Sequence, residues 1–329
     1  MIRRQLGSTG IEVSACSFGC GPIPALMTGE PEDRQLELVQ YAIERGVNWF
    51  DTAAGYGEGS SERNLGRVLA QLPASDDIHL ATKVRLMPGE LNQVTGAVRR
   101  SVERSLDNLG VDRITLLQLH NSVTAEREHE PTSVSADDVL GRGGILAAMQ
   151  GLRDEGLVDQ LGLTGLGQPA ALREVIASGG FATIQAPYNL LNPTAGRPTP
   201  DRFKEADYGQ ILEACGEQGM GIFAIRVFAG GALLGRAPAE HTYRTRFFPL
   251  DLYQRDVARA ERIERQLDGL DADLAALRFV LSHPLISSAI IGFSESLHVD
   301  RALLACEKGH LEEEYICQLL EAAHGHLEA

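Results

Sequence analysis

Four residues of types that move protons lie at or near the ends of apolar stretches within the first 120 residues. Asp51 closes the run GVNWFDT, and Tyr56 follows five residues later in a glycine-rich turn. Lys83 lies near the end of ATKV, and His120 ends LQLH. Singly, each has an ordinary structural explanation, such as a turn carboxylate or a satisfied core histidine. Their shared position after apolar runs predicts one common site.

An acid, a phenol, an amine and an imidazole can together interconvert a carbonyl and an alcohol. A free phenol, with a pKa near 10, donates poorly to a carbonyl oxygen, but a neighbouring ammonium stabilises the phenolate. We therefore expect Lys83 to assist Tyr56 as general acid or base, Asp51 to hold Lys83, and His120 to orient the substrate oxygen. The sequence has no flavin, haem or metal motif, so a nicotinamide cofactor is expected to carry the hydride.

Eight β-rich apolar stretches alternate with amphipathic helical patterns and would bring these residues together. Parallel β-α units of this number most simply close into a (β/α)8 TIM barrel, whose strands all point their carboxyl ends at one mouth. An open doubly wound sheet is disfavoured because CGPIPALMTGEPED follows the first strand in place of GxGxxG. The predicted strands cover 14–19, 46–52, 77–84, 114–120, 158–165, 181–188, 219–225 and 286–292.

Three segments fall outside the repeating units. Residues 2–14 predict a hairpin that covers the bottom of the barrel, and 252–267 predict an extra helix. Residues 121–138 form a charged loop after the fourth strand. That loop either shapes substrate access or is simply solvated.

Composition narrows the partners and the compartment. Thirty Lys and Arg against 45 Asp and Glu give a net charge of −15, which excludes general affinity for nucleic acid or anionic membranes. Five scattered cysteines without a CxxC pair and an amino terminus without an apolar signal segment indicate a cytoplasmic protein. No metal is expected, because His129 lacks the second histidine of HExxH and the HGH at 324–326 resembles a solvated tail.

The sequence resembles the aldo-keto reductase superfamily over almost its whole length. The family's catalytic tetrad falls on Asp51, Tyr56, Lys83 and His120. The resemblance implies one barrel domain over 1–329, either monomeric or a small homo-oligomer. It also implies NAD(P)-dependent reduction of a small carbonyl compound or oxidation of a sugar hemiacetal. The matching stretches are LGSTGIEVSACSFGCG, GVNWFDTAAGYGEGSSERNLGRVL, ATKV, LLQLHN, GLRDEGLVDQLGLTG, AGGALLG and IIGFSESLHVDRAL.

The resemblance also places the adenosine end of the cofactor in IIGFSESLH, between the eighth strand and a helix. Ser294 and Ser296 could cap that helix, whose amino terminus can hold a phosphate. Members that prefer NADP carry a lysine and an arginine in this segment, whereas this chain has Gly292 and His298. The difference favours NAD, while His298 and backbone amides leave NADP(H) open.

Other cofactor positions match the family in part. Thr164 stands where the family often has a serine that holds the nicotinamide amide, and Gln185 matches an amide-contacting glutamine, although a satisfied strand glutamine explains it equally. Ile225 replaces a stacking aromatic residue. Arg226 replaces a serine and would pair with the pyrophosphate, with an acidic substrate group, or in a structural ion pair. The turn containing Ala229 and Gly230 permits close backbone approach to phosphate.

The substrate side is less defined. Cys20, Pro22 and Ile23 follow the first strand and are expected in the substrate pocket. The departures at strand seven and in IIGFSESLH resemble the branch of L-galactose and L-fucose dehydrogenases. Two other functions stay open: a non-catalytic cofactor-binding regulatory subunit of the same fold, and a lyase that forms a Schiff base through Lys83.

Overall fold

Short, strongly buried strands form a closed parallel barrel in the computed structural model, which describes residues 1–199 and 203–325. Eight strands, β3 to β6 and β9 to β12, make the barrel, and each pairs with the next barrel strand along the chain until β12 closes on β3. The strands within the described residues are β1 Arg3–Gln5, β2 Glu12–Ser14, β3 Cys16–Gly19, β4 Trp49–Asp51, β5 His79–Val84, β6 Ile114–Leu119, β7 Val123–Thr124, β8 Val134–Ser135, β9 Val158–Thr164, β10 Thr183–Pro187, β11 Gly221–Ile225 and β12 Ile286–Ile291.

The predicted (β/α)8 barrel is confirmed, and all eight predicted strands are present with tighter bounds. The barrel strands are short and almost wholly buried, as expected for parallel strands covered by helices on the outside and filled by side chains on the inside.

Helices surround the barrel and pack on one another in chain order, with α2 against α3, α3 against α4, α4 against α6, α10 against α11, and α11 back on α2. The predicted extra helix is α9, which packs against the carboxyl-terminal α12. The helices are α1 Leu26–Gly29, α2 Glu32–Glu44, α3 Ser60–Leu69, α4 Val94–Leu109, α5 Ala136–Leu140, α6 Ile145–Asp154, α7 Pro169–Ala177, α8 Ile211–Glu217, α9 Leu250–Glu264, α10 Ala272–Ser282, α11 Ser296–Glu307 and α12 Glu313–His324.

The amino-terminal hairpin closes the bottom of the barrel, as predicted. Strands β1 and β2 pair antiparallel, with Arg4 opposite Val13. Fully buried Leu6 and Val13 pack in one cluster with interior residues of four barrel strands, which are Trp49, Ala81, Leu116 and Phe223. Gly7 has φ +53° and lies so close to β11 that a Cβ there would stand 2.2 Å from the amide nitrogen of Gly221. The turn therefore needs glycine for its backbone conformation and for the contact.

Two expectations about loops change. The 121–138 segment is ordered by the parallel pair of β7 and β8 and by α5, which begins with a capping box between Ser135 and Asp138. Arg127 also bonds to the Asp138 carboxylate. His324 is not a solvated tail residue, because its ring lies 3.1 Å from the carbonyl oxygen of Leu190 and burial lowers its pKa to about 4. Residue 326 lies outside the described residues.

Within the described ranges, no helix combines the length and apolar character needed to cross a membrane.

Candidate active site

Three adjacent barrel strands carry three of the four predicted residues to one mouth. Asp51 is the last residue of β4, Lys83 precedes the last residue of β5, and His120 directly follows β6. Parallel pairing puts Lys83 level with Gln118, two residues below His120. Tyr56 comes from the turn after β4, so the structure brings all four residues together.

The amine of Lys83 is buried and fully hydrogen-bonded. Only 2% of this residue is exposed. Its Nζ donates to Asp51 Oδ1 at 2.5 Å, to the carbonyl oxygen of Thr52 at 2.7 Å and to the phenol oxygen of Tyr56 at 3.4 Å. An ammonium has three donors and no acceptor, so these bonds use all of them. This arrangement disfavours Schiff-base chemistry, which needs a free neutral amine.

The second oxygen of Asp51 is held by two glutamines. Gln118 Nε2 donates to Asp51 Oδ2 at 3.0 Å, and Gln185 Nε2 donates to the same oxygen at 2.5 Å. Gln118 was missed from the sequence, although strand alternation could have found it, because it lies two residues before His120 and points to the same face. These bonds fix the carboxylate that holds Lys83.

The turn after β4 aims the Tyr56 ring at the mouth. Residues Tyr56–Gly59 form a 3-10 turn in which Gly57 and Gly59 have φ of +55° and +83°. Gly21 lies beside the ring, where a Cβ would make an ordinary van der Waals contact of 3.6 Å with Tyr56 Cε2. The Tyr56 and His120 rings meet edge to face with centroids 5.8 Å apart. The phenol oxygen therefore lies between an ammonium and an imidazole.

Burial and neighbouring charges shift the pKa of Lys83 in opposite directions, whereas they shift the pKa of His120 in the same direction. Burial disfavours the ammonium of Lys83, but Asp51 and Tyr56 outweigh it and hold its pKa above the usual range. Burial, and then the positive charges of Arg85 and Lys83, lower the pKa of His120 well below its usual value. The imidazole is therefore neutral near pH 7, and one of its nitrogens carries a hydrogen.

A cavity of about 650 Å³ opens above these residues. Asp51, Tyr56 and His120 reach its wall, which also includes eight of the other predicted site residues: Pro22, Ile23, Thr164, Gln185, Ile225, Arg226, Gly230 and Gly292. Cys20 is not on this wall. Its side chain is 1% exposed and belongs to the core, and burial followed by the Asp51 charge raises the pKa of its thiol. The expectation that Cys20 contacts substrate is therefore corrected.

Thr164 and Gln185 already have protein partners. The hydroxyl of Thr164 donates to the carbonyl oxygen of Leu119 at 3.1 Å, which leaves its lone pairs toward the cavity. The amide nitrogen of Gln185 donates to Asp51. This nitrogen therefore already has a partner in the barrel, as expected for a strand glutamine whose hydrogen bonds are satisfied by the protein.

Arg226 ends in the cavity without an acidic partner. Its backbone is left-handed, with φ +58°, and its guanidinium carbon lies 3.7 Å from the ring centroid of Phe248. Burial lowers its pKa. No carboxylate in the described part of the chain forms an ion pair with it, so the structural ion pair is not formed. A Cβ added at Gly230, whose φ is +72°, would stand 3.7 Å from the guanidinium nitrogens of Arg226, and Ala229 faces a smaller neighbouring cavity.

The segment after β12 differs from its prediction. Glu295 is the N-cap residue of α11 and no side chain caps the helix, so neither Ser294 nor Ser296 does so. The hydroxyl of Ser294 instead lies 3.2 Å from His298 Nδ1. Gly292 packs against the loop after β3, where a Cβ would stand 2.3 Å from the carbonyl oxygen of Ile23.

A cation lies beside this segment that the sequence did not indicate. Arg236, from the loop after β11, has its Nη2 2.8 Å from His298 Nε2. Burial, and then the charge of Arg236, lower the pKa of His298, so its imidazole is neutral near pH 7. No local motif could have revealed the contact, because the two residues are 62 positions apart.

Fold and site together define an α/β-barrel oxidoreductase. The model of the Aldo/keto reductase family matches residues 18–323, so the chain belongs to this family. L-galactose dehydrogenase of Arabidopsis thaliana is 26% identical over 315 residues, covering 92% of this chain and 87% of that protein. D-threo-aldose 1-dehydrogenase of a Pseudomonas species is 26% identical over 313 residues, covering 87% of each. The holo form of aldo-keto reductase AKR11C1 from Bacillus halodurans superposes with a TM-score of 0.73 at 23% identity, covering 100% of this chain and 98% of that one.

Proposed function

We propose that this protein transfers a hydride between a nicotinamide cofactor and a small carbonyl compound, alcohol or sugar hemiacetal, with Tyr56 as general acid and base. The observation that carries the proposal is the chain of contacts Asp51–Lys83–Tyr56, with His120 against the phenol, at the mouth of a cavity of about 650 Å³. Relatives named L-galactose dehydrogenase and D-threo-aldose 1-dehydrogenase support a sugar hemiacetal as substrate.

Each side chain has a definite part in this chemistry. Because Lys83 donates to the phenol oxygen, the hydrogen of the Tyr56 hydroxyl is free to point at a substrate oxygen, and the ammonium stabilises the phenolate that remains. A neutral His120 can donate a second hydrogen bond to that oxygen without competing for the proton. Asp51 keeps Lys83 charged and in place.

The residues present fit a dinucleotide. Arg226 supplies a desolvated guanidinium that no carboxylate of the described residues ion-pairs, although the charge of Asp256 acts on it, beside the left-handed turn at Gly230. The twelve-residue helix α11 begins without a side-chain cap, which leaves backbone N–H groups for an anion. A bound nicotinamide would supply or accept the hydride. We assign Arg226 and this turn to cofactor phosphate, and Thr164, Gln185 and Ile225 to the nicotinamide end.

NAD is the favoured cofactor in this proposal. His298 is neutral, Gly292 has no side chain, and Glu295 places a carboxylate 3.1 Å from His298 Nε2, which opposes a 2′-phosphate. Two nearby cations would instead favour NADP(H): Arg236, which already contacts the His298 ring, and Arg34, whose Nη2 donates to the carbonyl oxygen of Ser294 at 2.9 Å.

The decisive experiment is a panel of aldehydes, ketones and aldoses tested with both cofactors in both directions. Tyr56→Phe should lower kcat by about 10²- to 10⁴-fold while the dissociation constant of the cofactor, measured by protein fluorescence, stays nearly unchanged. Full activity in this variant would remove Tyr56 from the acid–base role. Cofactor binding without turnover on any substrate would instead support the regulatory-subunit alternative.

A further inference from the structure

The wall of the large cavity is positively charged although the chain as a whole is acidic. The formal net charge is −15, yet the residues that line this cavity include four arginines, Arg85, Arg226, Arg244 and Arg246, of which Arg244 is ion-paired with Glu240. Among the described lining residues Asp51 is the single carboxylate, and it is already bonded to Lys83. A wall of this kind attracts anions and leaves them without a repelling partner.

Arg85 is the arginine closest to the proposed chemistry. It directly follows the last residue of β5, two residues after Lys83, and it lines the same cavity as Asp51, Tyr56 and His120. Its charge acts on both His120 and Tyr56. An anion bound there would therefore belong to the molecule whose carbonyl reacts at Tyr56.

The guanidinium of Arg85 is incompletely satisfied by the protein. Its Nε is buried and has no hydrogen-bond partner, and the nearest acceptor of Nη2 is the His120 carbonyl oxygen at 3.5 Å. No described carboxylate forms an ion pair with it. Its guanidinium carbon lies 5.5 Å from the ring centroid of Phe247, which supports the cation on one side and leaves the cavity side open.

Resting on the proposed function, we infer that the physiological substrate is a carbonyl compound or aldose that carries an anionic group, a carboxylate or a phosphate, and that Arg85 binds this group. A planar guanidinium with free donors is suited to bidentate recognition of either anion. The neighbouring loop contributes Phe247 against Arg85 and Phe248 against Arg226, so it separates the substrate-binding cation from the one assigned to the cofactor.

Matched substrate pairs test this inference. A comparison of activity on D-glucuronate and D-glucose tests recognition of a carboxylate. A comparison of glyceraldehyde 3-phosphate and glyceraldehyde tests recognition of a phosphate. In at least one pair the wild-type holoenzyme should prefer the anionic member. Arg85→Gln should lower kcat/KM for that member about 10- to 100-fold, mainly through KM, and for the neutral member by less than about threefold. Arg85→Lys should fall between, and Arg153→Gln, an exposed arginine on α6, should behave as wild type.

A binding measurement separates this inference from the proposed function. Malonate and uncharged malonamide are titrated calorimetrically into the cofactor-loaded protein, with no turnover required. Malonate should bind more tightly than malonamide, and Arg85→Gln should remove the difference at an unchanged melting temperature. Such a result with no turnover on any substrate would reject the proposed reaction and keep the anion site. The inference would be overturned if malonate and malonamide bound equally well. It would also be overturned if Arg85→Gln lowered kcat/KM equally for both members of each substrate pair.

Discussion

Replacing Asp51 with asparagine should expose the energetic role of the carboxylate beneath Tyr56. The change keeps the side-chain shape but leaves a buried ammonium without its counter-charge. An asparagine oxygen can still accept from Lys83. The asparagine NH2 group would face the amides of Gln118 and Gln185. Gln118, whose Oε1 has no hydrogen-bond partner now, could turn to accept from it, whereas the Gln185 Nε2 donor would lose its acceptor. The loss is therefore chiefly one of charge, with few broken hydrogen bonds.

Its magnitude follows from the cost of an uncompensated buried charge. Breaking a buried ion pair from one side costs about 3 to 5 kcal/mol, and losing the Asp51 charge also lowers the folded-state pKa of Lys83. For a chain of 329 residues a loss of about 3 kcal/mol lowers the melting temperature by about 4 °C. Asp300→Asn, which removes an exposed partner of Arg45, serves as a matched control and should cost about 0 to 1 kcal/mol.

The pH dependence distinguishes this cause from a general packing defect. In the wild type, the raised pKa of Lys83 means that the pair stabilises the fold below pH 10 and that this contribution disappears as pH rises through the folded-state pKa. In Asp51→Asn the folded-state pKa falls below that of the unfolded chain, so the unfolded chain binds more protons between the two values and stability rises with pH. Thermal unfolding from pH 6 to 10 measures the difference between the proteins. A destabilisation that stays constant over this range, or none at pH 7, would refute the reasoning.

Four further substitutions test the fold and the cofactor site. Gly292→Ala should destabilise the protein by about 1 to 3 kcal/mol because its Cβ would stand 2.3 Å from the Ile23 carbonyl oxygen, whereas Gly89→Ala, in open space, should not; thermal unfolding compares them. Leu6→Ala should cost about 2 to 5 kcal/mol in the free energy of unfolding by opening the hairpin cluster, with exposed Leu297→Ala as its control. His298→Arg should strengthen NADP binding relative to NAD and Arg236→Gln should weaken it, each by about tenfold in the ratio of the two dissociation constants; an unchanged ratio in both variants would place the 2′-phosphate elsewhere.

The barrel and the placement of the four proton-moving residues were predictable because both depend on short-range patterns. Apolar runs bounded by turns gave the strands, and parallel β-α repetition fixed where their carboxyl ends meet. Asp51, Lys83 and His120 therefore had to converge once their strands were assigned. The same strand alternation would have revealed Gln118, which lies on β6 two residues before His120, whereas Arg85 follows the end of β5.

Contacts between loops of different strands were not predictable. Cys20 was expected at the substrate pocket from its place after the first strand, but the backbone turns its thiol into the core and leaves Gly19 and Gly21 at the wall. Ser294 and Ser296 have the right residue type for caps, yet the N-cap position falls on Glu295 between them. A shift of one residue in a loop changes which side chains reach the site, and the residue types alone do not predict such a shift.

The same distinction separates the reaction from its substrate. Proton transfer in this proposal depends on β4, β5 and the turn between them, where spacing along the chain sets the distances between Asp51, Tyr56 and Lys83. Substrate selection in this proposal depends on whether the guanidinium of Arg85 is free to bind an anion. Its surroundings are Phe247, a loop residue 162 positions away, and a described cavity wall that has no free carboxylate. Related barrels can therefore keep one proton relay and change substrate by exchanging a loop. For this chain, the substrate is best sought among anions.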